Sequence, residues 1–154
     1  MVKQEIDWLE LMVQVLIEKF KPGQLISHHY LAKMLNIKKP VYKNYETQSD
    51  FEKALEKAQF KYMEMVDKLR WEILEKQYLY LRNVRGDGYI FLNPKDQTTF
   101  AKKQAMETVY KGLKTGAIIM QHIRYDALTQ DEKRKNADEL AKLGQLHQMI
   151  KTHK

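Results

Sequence analysis

The chain has no cysteine. That excludes disulfides, zinc–thiolate sites and thiol catalysis, and it suits a reducing compartment. Glycine and proline are scarce, six and three in 154 residues. The glycines form no GxGxxG cluster, so the phosphate-cradling loop of a nucleotide enzyme is missing. No nucleophile elbow and no paired-acid motif is present either. The expectation is a protein that is not an enzyme and carries no cofactor. No apolar run approaches the ~20 residues of a membrane-spanning helix. The first twenty residues carry acids where a secretory signal needs bases. A soluble, cytoplasmic protein with no membrane partner is expected.

Positive charge is present in excess, and its distribution is informative. The formal net charge is +7. Residues 1–50 hold 7 bases and 6 acids, residues 51–94 hold 8 and 7, and residues 95–154 hold 12 and 7. The excess is therefore mostly C-terminal. Within the first third, the run from Lys19 to Tyr45 has six lysines and no Asp or Glu. This basic island stands in a chain of otherwise mixed charge.

Apolar residues recur at helical spacing over most of the chain. Ile6, Leu9, Val13, Leu16 and Phe20 predict a first helix over 4–20, ended by Lys21-Pro22-Gly23. Leu25-Ile26 is long enough only for a bridge of strand. Ser27 is a candidate N-cap for a short helix over 28–35, with Leu31, Met34 and Leu35 inward and Asn36 as left-handed cap. Residues 37–48 read as loop. Ser49-Asp50-Phe51-Glu52 has capping-box spacing and opens a long helix to about Lys76, with Phe51, Leu55, Ala58, Tyr62, Val66, Leu69 and Ile73 on one face.

The next stretch, Leu79 to Leu92, reads LYLRNVRGDGYIFL. Gly86 and Gly88 accept positive φ and Asp87 tolerates it, so the segment turns as a β-hairpin. An isolated hairpin is only marginally stable, so this one must lie on helices. Pro94 is expected to close it. Val109, Leu113, Ala117, Met120 and Ile123 then make a helical stripe over 98–125. Gly112 and Gly116 are tolerable there if another helix packs closely. Thr129-Gln130-Asp131-Glu132 is a second capping box. It opens a last helix with Ala137, Leu140, Leu143, Leu146 and Ile150 inward. The short connection between these two helices predicts an antiparallel pair.

The order helix, short strand, helix, turn, long helix, hairpin is that of a winged helix-turn-helix. The run Val66-Asp-Lys-Leu69-Arg70, followed by Val84-Arg85-Gly86-Asp87-Gly88-Tyr89, resembles the end of the recognition helix and the wing of OmpR/PhoB-type response-regulator effector domains. The resemblance covers about residues 62–92. The N-terminal strands of that family have no counterpart in this sequence, and neither has its receiver domain. The resemblance implies a winged helix and DNA binding. The expected fold is mostly α: a winged helix-turn-helix over 1–94 with one β-hairpin wing, followed by a C-terminal antiparallel helical pair over 95–154.

Under that reading the helix near 56–71 lies at the major groove, and the wing brings Arg85 to phosphate or to a narrow minor groove. Lys33, Lys38, Lys39 and Lys43 flank the helix-turn-helix and suit phosphate contacts, which supply most non-specific affinity. Lys57, Lys61, Lys68 and Arg70 are further candidates on the long helix. The plain alternative for the lysines is a solvated surface. For Arg70 it is pairing with Asp67, Glu64 or Glu72 on neighbouring turns. The outward face of the long helix also carries Glu64 and Trp71, and acids repel phosphate. Metal binding is not expected: His28 and His29 diverge by about 100° on a helix, and His122, His147 and His153 lie elsewhere.

Two functions fit. One is a small DNA-binding transcriptional regulator of bacterial, phage or mobile-element type, dimerised through its C-terminal helices to read paired half-sites. The other is a winged-helix adaptor, or an inhibitor of a host nucleic-acid enzyme, which binds protein and not DNA. A replication-initiator-like module is a further variant.

Overall fold

The computed structural model describes residues 7–152. The start of the first helix, with Gln4 and Ile6, lies outside them, as does His153. The chain divides into two compact units, Met1–Gln97 and Thr98–Lys154. Among the described residues the order is α1 (Trp8–Lys19), β1 (Leu25–Ser27), α2 (His28–Met34), α3 (Gln48–Gln77), β2 (Leu81–Val84), β3 (Gly88–Phe91), α4 (Pro94–Gln121) and α5 (Gln130–Lys151), with 3-10 turns at Tyr42–Asn44 and Tyr125–Ala127. The fold is mostly helical with one small antiparallel sheet. No helix among the described residues is long and apolar enough to cross a membrane.

The N-terminal unit holds the hydrophobic core. Val13 and Leu16 of α1, Ile26 of β1, Leu31 of α2 and Leu35 after it meet Val66, Leu69 and Ile73 of α3. Leu81, Tyr89 and Phe91 of the hairpin complete that core. The hairpin was expected to pack through Val84, Tyr89 and Phe91. Val84 is only half-buried, and Leu81 takes the inward place at the start of β2. β1 is more than an isolated bridge. It pairs with β3 in the register Leu25↔Ile90, Ile26↔Tyr89, Ser27↔Gly88, which gives a three-stranded sheet in the order β1-β3-β2.

Caps explain where the helices start and stop. The Ser27 hydroxyl accepts from the Tyr30 N–H at 3.1 Å. At the other end of α2, Asn36 has φ 54°, with Asn36 N–H donating to Lys33 O and Ile37 N–H to Ala32 O. That is a Schellman closure, and it turns the chain sharply into Ile37-Lys38-Lys39-Pro40. The long helix does not start at the Ser49 box. Thr47 is its N-cap: its hydroxyl accepts from the Asp50 N–H at 3.1 Å and donates to the Asp50 carboxylate at 2.7 Å. Thr47 with an acid three residues on makes both bonds, so α3 begins two residues early and Ser49 lies inside it. Pro94 opens α4 and does not merely end the hairpin. At the first helical position its missing N–H has no intrahelical partner to lose.

In the C-terminal unit α4 and α5 run antiparallel. The rings of Tyr110 and His147 lie 4.8 Å apart, and the Asn136 amide donates to Met120 O at 3.3 Å. Thr129 and Glu132 form the expected capping box. Gly116 faces the other helix closely, since a Cβ there would lie 3.4 Å from Leu143 Cδ1, whereas nothing stands within 4 Å of Gly112. Val109, Ile123, Ala137 and Leu146, expected inward, are exposed. The seam instead uses Met106, Tyr110, Leu113, Ala117 and Met120 against Asn136, Leu140, Leu143, His147 and Ile150, all half-buried.

Candidate nucleic-acid interface

The basic island frames a groove of about 900 Å³ between α2, the loop after it and the N-terminal half of α3. Lys33 stands on the last turn of α2, and Lys38 and Lys39 follow the Asn36 turn. His28, His29 and Asn36 lie on the same wall. Leu55, Ala58, Gln59 and Tyr62 of α3 form the opposite wall. Among the described residues, no carboxylate lines this groove. Its positive potential is thus not cancelled locally, which favours an anion.

Aromatic contacts hold the loop in place. The Tyr42 ring meets Phe51 edge-on at 5.2 Å, and Tyr45 lies 5.8 Å from the same ring. Phe51 sits in the first turn of α3, so the loop is tied to the start of that helix. Lys43, between the two tyrosines, is exposed and is not part of the groove wall. Lys57 and Lys61 are exposed on α3, also outside that wall.

Inside the groove, His28 Nδ1 and the Tyr62 hydroxyl are hydrogen-bonded at 2.8 Å. Their rings stand edge-to-face, and Tyr89 packs against His28 in the same way at 5.5 Å. Burial pushes the Tyr62 phenol well above its ordinary value, and Tyr89 adds to the shift. The Tyr62 hydroxyl therefore keeps its proton and is available as a donor to the imidazole.

The hairpin turn Arg85-Gly86-Asp87 reaches the start of α2. The His28 N–H donates to Asp87 O at 3.2 Å. Gly86 has φ 84°, as the tight turn requires. Arg85 is exposed on this turn, and His28 at its anchor belongs to the groove wall.

Two expected contacts are differently occupied. Arg70 gives its Nε–H to Leu81 O at 3.1 Å, one Nη to Asp67 at 3.2 Å and the other to the Tyr80 hydroxyl at 3.0 Å. Its guanidinium also lies 5.6 Å from the Tyr80 ring and 5.8 Å from that of Tyr89. Lys68 pairs with Glu64 at 2.7 Å, and that bond holds the Glu64 carboxyl below the usual carboxylate range. On the face of α3 opposite Val66 and Leu69, Phe60 and Trp71 are exposed, with Met63 at the edge, among Glu56, Glu64 and Asp67 and the lysines Lys53, Lys57 and Lys68.

Sequence reading missed His28, His29, Gln59 and Tyr62 as groove residues. Adjacent histidines carry no spacing signal, and Tyr62 falls on the core stripe. Gln59 had a readable clue, an amide on the helix expected at the major groove. Among the described residues, no group of three His, Cys, Asp or Glu side chains is placed to hold a metal ion. No family model matches the chain, and neither does any curated protein or solved structure.

Proposed function

We propose that the N-terminal unit is a winged helix-turn-helix that binds duplex DNA, and that the protein is a small transcriptional regulator. The observation that carries this reading is the carboxylate-free groove lined by Lys33, Lys38 and Lys39, whose wall residue His28 is hydrogen-bonded to the hairpin turn that bears Arg85. The pairing of β1 with the hairpin supports the wing assignment, because it makes the three-stranded sheet that a wing needs for support. In this reading the lysines and Arg85 hold phosphates, and Gln59 on α3 is the side chain best suited to a base edge. Arg70 ties the long helix to the hairpin, and Lys68 stays on the exposed surface beside Glu64.

The test is a salt series of binding to random duplex, with wild type beside Arg85→Ala and the double variant Lys38→Ala/Lys39→Ala. Affinity falls steeply with salt for wild type. Each variant weakens binding and lowers the slope of log K against log salt by about 0.9 for every phosphate no longer neutralised. A wild type that does not bind duplex at low salt ends the DNA reading.

One observation favours a second reading. The outward face of α3 exposes Phe60, Met63 and Trp71 among charges of both signs. A helix laid in the major groove would bring Glu56, Glu64 and Asp67 near phosphate, which is unfavourable. A winged-helix adaptor would use that face for a protein partner. The salt series separates the two readings, and substitution of Trp71 by Ala leaves DNA affinity unchanged only if the groove, not this face, meets DNA.

A further inference from the structure

No described residue of the C-terminal unit is buried. Two helices touch along one seam, but a single seam encloses no core. One side of α4 is also left open. Ala105, Val109, Gly112, Gly116, Ile119 and Ile123 follow one another at steps of four and three, the spacing of a heptad seam. This second seam is offset by one residue from the Met106–Met120 seam that meets α5, and Gly116 borders both: it is half-buried, and a Cβ there would lie 3.4 Å from Leu143 Cδ1. Ile119 is 67% exposed, and nothing lies within 4 Å of where a Gly112 Cβ would be. Ile123 falls just past the helix end, where the His122 N–H still bonds to Ile118 O at 3.1 Å.

We infer that this seam pairs with the same seam of a second copy, antiparallel, about a two-fold axis near Lys114. The pattern is self-complementary in the way an isologous contact demands. Residues equidistant from Lys114 match: Ala105 with Ile123, Val109 with Ile119, and Gly112 with Gly116. Large side chains meet small ones at both ends. Two glycines per copy meet at the centre, where the helices approach most closely. In the heptad these pairs are a against d layers, as antiparallel helices require.

Charge selects the same occupant. The chain carries +7, so two copies repel unless the contact face is uncharged. From Ala105 to the end of α4 the charged residues are Glu107, Lys111 and Lys114, and the helical period puts all three on the opposite side, while Lys102, one step before Ala105, is the charge at the end of the seam. The positions flanking the seam on its open side, Thr108 and Thr115, are neutral as well. Two hairpins joined in this way form a four-helix assembly whose core neither hairpin has alone. The pairing does not depend on the DNA reading.

The test is sedimentation equilibrium of the full chain, with Val109→Lys, Ile119→Glu and the double variant. Both positions are exposed, and circular dichroism checks that helix content is kept. Wild type sediments as a dimer. Each single variant weakens the dimer at least about tenfold. The double variant regains it, because the lysine introduced at position 109 of one copy then faces the glutamate introduced at position 119 of the other. Thr115→Cys, near the axis in a chain with no other cysteine, cross-links on mild oxidation, and Lys114→Cys on the far face does not. A monomeric wild type, a dimer indifferent to the single variants, or a double variant that stays monomeric overturns the inference. Equal cross-linking at 114 and 115 overturns it even if the other variants misfold.

Discussion

Arg70 Nε lies 3.1 Å from the carbonyl oxygen of Leu81 and joins the long helix to the first strand of the hairpin. The same guanidinium reaches Asp67 on its own helix and the Tyr80 hydroxyl on the segment leading into β2. An arginine at this point in the chain reads equally well as a phosphate contact or as a structural tie. Its three partners favour the tie. Arg70→Met keeps the stem but deletes the hydrogen bonds, and hydrogen bonds to a charged group carry about 1.5 to 3 kcal/mol. The expected outcome is a loss of stability in that range by urea unfolding. The slope of DNA affinity against salt stays at the wild-type value. A flattened slope with unchanged stability would assign Arg70 to phosphate.

Gly88 sits where β1 and β3 come together, with φ 153°. A Cβ on it would run into the Ile26 carbonyl oxygen, and the Ser27 Cα would lie only 2.8 Å away. Neither obstacle is a flexible side chain, so the strands must part. Gly88→Ala is expected to destabilise the N-terminal unit by about 2 to 4 kcal/mol. Gly86→Ala meets no atom within 4 Å, and its loss comes from φ 84° alone, about 1 kcal/mol. The ordering of the two variants by thermal midpoint checks the close approach of β1, since without it the variants would be nearly equal.

The periodic elements were legible because burial acts through spacing. Val13 and Leu16, Leu31 and Leu35, and Val66, Leu69 and Ile73 all sit where the apolar stripes put them. The hairpin was legible from its glycines. The C-terminal pair misled at Val109 and Ile123 because α4 has two adjacent apolar seams, and at Ala137 and Leu146 because the polar Asn136 and His147 take the positions facing α4 on α5. Tyr78 was illegible for another reason: it caps α3 at φ 57°, a conformation a tyrosine rarely holds, and the segment it opens is tied by hydrogen bonds to Gln97, distant in sequence. The lysine island was readable as composition. That it would face Leu55, Ala58 and Tyr62 across a groove depends on the path of residues 36–47, which the Asn36 turn and the Phe51 contacts set together.

The Tyr62 phenol gives a pH test of the groove. Its folded value is raised, chiefly by burial and then by Tyr89, while in the unfolded chain it titrates near about 10. The unfolded chain therefore releases this proton first. The stabilisation is fully present below about pH 10 and is lost as pH rises beyond it. Tyr89, also raised by burial and partly offset by Arg70, acts in the same direction. Tyr62→Phe removes one titrating group and the bond to His28, so its stability at neutral pH is lower by about 1 kcal/mol. Between about pH 9 and pH 11 its thermal midpoint falls less than that of wild type, because of the two tyrosines that burial raises only Tyr89 remains. Parallel pH profiles for the two proteins would mean that the Tyr62 hydroxyl is open to solvent, and that the groove wall it forms with His28 is not closed there.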